Sequence, residues 1–161
     1  MTVIDHDRQF LRHALATVAY RGGKAIRDVP ADFGALRVAP GTRTPLEILA
    51  HIGDLFEWMV HLIDGEHVWT DSPPLGWDEE VERFHRLIGE VDALLASDLP
   101  VEASAQRLFQ GPVADALTHV GQIAMMRRIA DSPIRGENFF KAEIVPGRTG
   151  NDQAAPAYEF D

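Results

Sequence analysis

Asp115 and His119 stand four residues apart in the stretch Asp115-Ala-Leu-Thr-His119-Val-Gly-Gln, where Ala116, Val120, Ile123 and Ala124 supply a helical apolar period. Side chains at i and i+4 share a helix face, so one carboxylate oxygen and one imidazole nitrogen can converge on a single point, a spacing that suits a divalent ion. With three protein ligands and one or more open positions, such an ion would be catalytic in style and not a closed structural site. His51 is the other polar residue out of place, in line with Ile48, Leu55, Trp58 and Leu62, where an unpaired imidazole is costly to bury. Both positions also have a plain structural explanation. Glu47, Asp54 or Glu57 could hydrogen-bond His51 at the edge of a core, and a carboxylate at Asp115, just after Gly111-Pro112, would favour the positive end of a helix.

The 161 residues include no cysteine, which excludes a disulfide framework, a thiolate zinc site, an iron–sulfur cluster and a cysteine nucleophile. Any metal must be held by His, Asp, Glu or backbone oxygen, so the seven histidines are the residues to weigh. His6 and His13 sit beside charged neighbours, His61 and His67 near the end of a helix and its following loop, and His85 close to Arg83 and Arg86; most of these are expected to be solvated. Trp58, Trp69 and Trp77 could line a pocket mouth or be simple core aromatics. A metal-free Asp115/His119 acid–base dyad lacks a nucleophile, since no serine or threonine stands in an elbow motif.

Composition narrows the remaining classes. Lys+Arg number 15 against 25 Asp+Glu, a formal charge of −10, and the cations are scattered, the densest being Arg127-Arg128 and the stretch from Arg21 to Lys24. A nucleic-acid binder needs a basic stripe to displace counterions, so no nucleic-acid partner is expected. No apolar run approaches the roughly 20 residues of a spanning helix, and Met1-Thr-Val-Ile-Asp-His-Asp lacks the basic start and apolar stretch of a signal peptide. No membrane association and a cytoplasmic location are the expectations.

The elements that must position these side chains are helices. Asp5 to Arg27 carries Phe10, Leu11, Ala14, Leu15, Val18 and Ala19 at helical spacing, and Asp28 to Arg43, with its prolines and glycines, reads as a loop. Thr44-Pro45-Leu46-Glu47 combines an N-cap hydroxyl, a first-turn proline and a glutamate placed to close a capping box, opening a helix to about Asp64. Asp78 to Ser97 is a third helix. A short turn from Ala103 to Phe109 precedes a fourth, opened by Gly111-Pro112 and running to about Ala130 with Ile129 facing inward. Met125-Met126-Arg127-Arg128 reads as core followed by a basic helix end. The predicted fold is all-α, a four-helix bundle over residues 1–133. Residues 134–161 form an extended C-terminal arm, rich in aromatics, that packs on the bundle or on a partner subunit.

Thr44-Pro-Leu-Glu-Ile-Leu-Ala-His51 and Asp115-Ala-Leu-Thr-His119-Val-Gly-Gln resemble the two signature segments of the DinB-like (YfiT-like) four-helix bundle superfamily, the His-Val-Gly-Gln element most specifically. The resemblance covers about Asp5 to Pro133. It implies a divalent metal (zinc, nickel or iron) held by one histidine of the second helix, matching His51, and by two histidines four apart on the fourth, of which the second matches His119. Asp115 departs from that pattern, where histidine is commoner; aspartate is a competent oxygen ligand and would give a harder, more anionic His/Asp/His set. Some relatives are thiol-dependent transferases or isomerases that use a low-molecular-weight thiol. The resemblance therefore implies a metal-dependent enzyme acting on a small molecule, with Trp58 and the arm walling the pocket, and a homodimer. The competing expectation is a non-catalytic bundle that binds a small ligand or serves as a stress-linked interaction scaffold.

Overall fold

Capping chemistry sets the helix starts in the computed structural model, which describes residues 5–161; residues 1–4 of the expected 1–133 unit lie outside the described residues. Helix α1 (His6–Ile26) begins at Asp5, whose carboxylate accepts from the Arg8 backbone N–H at 3.0 Å. Helix α2 (Pro45–Ile63) opens on a complete capping box: Glu47 N donates to Thr44 Oγ1 at 3.2 Å and Thr44 N donates to Glu47 Oε2 at 2.7 Å. These reciprocal bonds satisfy two of the amide donors that a helix start leaves unpaired. Helix α3 (Trp77–Ala96) has only the reverse half, Gly76 N donating to Glu79 Oε2 at 3.0 Å.

The end of the helical region differs from its sequence pattern. A short helix, α4 (Ala105–Leu108), capped by Ser104, does not stop before Pro112. It runs through a π turn (Phe109–Val113) directly into α5 (Ala114–Ile129). Proline has no N–H to donate and its ring crowds the carbonyl four residues back, here that of Leu108. Widening the turn by one residue relieves the clash without ending the helix. Gly111-Pro112 is therefore an inflection within a longer helix, and not the opening of a new one.

Four long helices share one core among the described residues, α2 packing on α3 and α5 while α1 packs on the same two from the other side. Leu15, Val18, Leu49, Ile52, Phe56, Phe84, Ile88 and Ile123 are fully buried, each contributing about 1.5–3 kcal/mol of apolar burial if taken from full exposure. α1 approaches α3 closely because Gly22 has no side chain; a Cβ there would lie 2.6 Å from the Phe84 ring. No helix among the described residues is long and apolar enough to cross a membrane.

Three positions depart from the periodic reading. Phe10 (59% exposed) lies outside the core and pairs with the Phe109 ring at 5.8 Å. Ile129 (56% exposed) faces a surface cleft because it sits in the last turn of α5. Arg127 is buried instead of forming a solvated basic end: its guanidinium donates to the Ala25, Arg27 and Ser132 carbonyls at 3.1, 2.7 and 2.7 Å. It thereby satisfies carbonyls that the C-terminus of α1 leaves unpaired.

Beyond α5 the chain lies across α1 and α3. Strands β1 (Gly136–Glu137) and β2 (Glu159–Phe160) pair antiparallel, Gly136 opposite Phe160 and Glu137 opposite Glu159. Buried Glu137 accepts from the Tyr20 hydroxyl and from Lys24 Nζ at 2.8 Å, and Lys24 also reaches Glu159 at 2.8 Å. Burial, then the neighbouring Glu137 carboxylate, pushes the Tyr20 phenol pKa up, so it stays a donor. Further along, the Thr149 carbonyl accepts from His85 Nδ1 at 3.0 Å.

Candidate metal centre

The facing surfaces of α2 and α5 bring His51, Asp115 and His119 together. Asp115 Oδ1 lies 3.4 Å from His119 Nε2, one helical turn along α5, and its Oδ2 lies 3.7 Å from His51 Nε2 on α2. One ligand atom from each residue falls within 4.8 Å of the others. The two imidazoles meet edge to face, at 86° with centroids 4.7 Å apart, which directs both Nε2 atoms toward the carboxylate.

None of the three carboxylates that could have satisfied His51 from its own helix is available. Glu47 closes the capping box on Thr44, while Asp54 and Glu57 accept from the Arg83 guanidinium at 2.6 and 2.8 Å. His51 instead faces Asp115 across the helix interface at 3.7 Å. Burial lowers the His51 pKa below its ordinary value; the charges of Arg43 and His119 push the same way, and Asp115 opposes them. The ring is therefore neutral near pH 7 with a lone pair to offer.

His119 is held by a residue whose role the sequence pattern did not reveal. His119 Nδ1 lies 2.7 Å from Gln122 Oε1. With that oxygen as acceptor, Nδ1 carries the proton and Nε2 presents its lone pair toward Asp115, the arrangement that metal-ligating histidines commonly have. Gln122 stands in the His-Val-Gly-Gln element, three residues on, where helical geometry puts it beside the ring.

The residues fit a divalent ion. Imidazole nitrogens and a carboxylate oxygen are the donor types that zinc, nickel and iron accept, and one such atom from each residue lies within 4.8 Å of the others, near enough to share one ion after small side-chain adjustment. Two clefts adjoin the three residues: a polar one of about 400 Å³ lined by His51, Arg43, Asp71 and Ser72, and an apolar one of about 420 Å³ lined by His119, Ile48, Met125, Met126 and Ile129.

An aromatic wall stands behind His51, with the Trp69 ring at 5.6 Å and Trp58 a further 5.7 Å from Trp69. Trp58 thus reaches the centre through Trp69, and the 64–76 loop supplies the nearer ring. The arm does not wall the pocket: neither cleft is lined by a residue after Ile129, because Glu137 and Thr149 anchor the arm on α1 and α3. Among the remaining histidines, His61 pairs with Glu66 at 3.5 Å, His67 stacks near Trp58 at 5.4 Å, and His6 and His13 are exposed. His85 is the exception to the solvated set, half-buried with its Nε2 enclosed. Trp77 packs edge-on against buried Phe33 at 5.5 Å, away from the centre.

Compared with protein-family models, with curated proteins and with solved structures, the chain matches none.

Proposed function

We propose that His51, Asp115 and His119 hold a divalent ion and that the protein is a metal-dependent enzyme with the four-helix-bundle architecture of the DinB-like superfamily. The convergence of donor atoms from two helices to within 4.8 Å of one another, beside clefts that His51 and His119 line, is the observation that carries this reading. When bound, the ion would supply Lewis acidity, lowering the pKa of a water or small thiol at an open position. A thiol-dependent transfer or isomerisation on a small molecule is the reaction class that the sequence resemblance adds.

The chain's own residues have separable tasks. Asp115 offsets part of the ion's charge and bridges the two helices, Gln122 orients the His119 ring, and Trp69 excludes water from one flank of His51. The reading includes a cytoplasmic homodimer, for which the exposed Phe10–Phe109 pair offers an apolar surface; light scattering on the eluted protein checks the mass. Elemental analysis of the protein as isolated is the primary test. One equivalent of divalent metal, lost in His51→Ala and His119→Ala variants that remain helical, is the expected result. A metal-free protein whose melting ignores both chelator and added metal would instead assign the non-catalytic scaffold role.

A further inference from the structure

The two clefts beside the centre differ in lining, and Thr42 and Arg43 border both. Thr42 is occupied internally, its hydroxyl donating to the Ala39 carbonyl at 2.7 Å and its own carbonyl accepting from Arg37. Arg37 also reaches Glu47 at 3.5 Å, whereas Arg43 has no partner among the described residues. Arg43 lines the polar cleft together with His51 and the apolar cleft together with His119. Of the carboxylates along the polar cleft, Glu47 is closed onto Thr44 and Asp54 onto Arg83 and Ser72, while Asp71 is exposed and borders the polar cleft without lining the apolar one.

Charge and surface then point the same way. A divalent ion with one carboxylate and two neutral imidazoles leaves the centre a net positive charge, and Arg43 adds another, so the shared rim favours an anion. On the His119 side, Met125 and Ile129 are 58% and 56% exposed although they are apolar, and with Ile48 and Met126 they line a cleft of about 420 Å³. That volume lies within the range of small-molecule sites, and methionine side chains adapt to varied apolar shapes.

We infer that the centre takes a small amphipathic anion, whose apolar end lies between Ile48, Met125, Met126 and Ile129 and whose anionic group pairs with Arg43 beside the metal position. The inference rests on the metal reading for the location of the reacting atom, but the cleft and Arg43 can be tested separately from it. Octanoate, butyrate and octanol are titrated calorimetrically into the protein as isolated, into Arg43→Gln and into Ile129→Asp, with metal content measured on each sample. Octanoate should bind about tenfold or more tightly than butyrate, as burial of the longer chain requires. Arg43→Gln should lose about tenfold for octanoate and nothing for octanol at unchanged metal content, and Ile129→Asp should weaken both long-chain probes. Octanoate no tighter than butyrate, or within twofold of wild type in Arg43→Gln, overturns the inference even if the metal is present. Arg43-dependent octanoate binding that persists after chelation supports it even if the metal reading fails.

Discussion

Two clusters of ionisable groups lie within a turn of each other on α2, and they are finished in opposite ways. At the first, Asp54, Glu57 and Glu80 surround one cation: Arg83 donates to Asp54 at 2.6 Å, to Glu57 at 2.8 Å and to the Ala50 carbonyl at 3.1 Å. Ser72 N and Leu75 N donate to the remaining oxygens of Asp54 and Glu80, at 3.1 and 3.0 Å. Asp54 and Glu80 are almost wholly buried, and Gly53 makes room, since a Cβ there would sit 2.5 Å from Arg83 Nη1. At the second cluster, His51, Asp115 and His119 converge, no Lys or Arg among the described residues is bridged to Asp115, and His51 and His119 each line a cleft. A charged cluster that carries its own counterion on every side is a fastening, here of the 64–76 loop to α2 and α3. The second has no such fastening among the described residues, only the clefts that its two histidines line.

Replacing the internal cation should give the largest effect. Arg83→Met leaves Asp54 and Glu80 buried without a counterion and should destabilise the fold by about 3–5 kcal/mol, read from urea denaturation. Because that fastening also holds the loop bearing Trp69, Trp69 fluorescence should shift in the folded fraction.

The open cluster should respond to metal where the closed one does not. Divalent ion at about a hundredfold over its Kd should stabilise wild type by about 2.7 kcal/mol, and His119→Ala should abolish that gain while changing little in the metal-free protein. A metal response surviving in His119→Ala would erase the distinction between the two clusters. Truncating the residue that orients His119 is expected to matter less: Gln122→Ala should weaken metal affinity about 10–100-fold without altering metal-free stability, by competition with a chelator of known affinity.

The smallest effect concerns pH. Burial lowers the pKa of His85, with Thr149 opposing, and lowers that of His51 in the metal-free protein. Below the unfolded value of about 6.5 the unfolded chain binds more protons than the native one, so stability present above that pH is lost as pH falls toward the depressed native values. The urea midpoint of metal-free protein should decline from pH 7 to 5. His85→Gln should flatten part of that decline, and metal should suppress the part due to His51.

The helices were largely legible because their determinants are local. Thr44 and Glu47 are three residues apart, and their capping box forms whatever the rest of the chain does. The same holds for Asp115 and His119, placed on one face by the helix itself. Pro112 misled because two answers satisfy a proline, a new start or a widened turn, and the packing of the helix on both sides selected the second. Arg127 misled for another reason: a cation enters a core only where acceptors from other elements already wait, and those acceptors lie far away in sequence.

The sequence by itself therefore determined where helices begin, which residue types were available without cysteine, and that Asp115 and His119 share a face. Only the tertiary structure decided that His51 faces Asp115 across the interface while Glu47, Asp54 and Glu57 are taken elsewhere, that Gln122 orients His119, and that Arg43 borders both clefts. The physical reason is one of range. Backbone hydrogen bonding within a turn is read from neighbours, whereas the choice among several competent partners for one side chain depends on which of them another element has already taken.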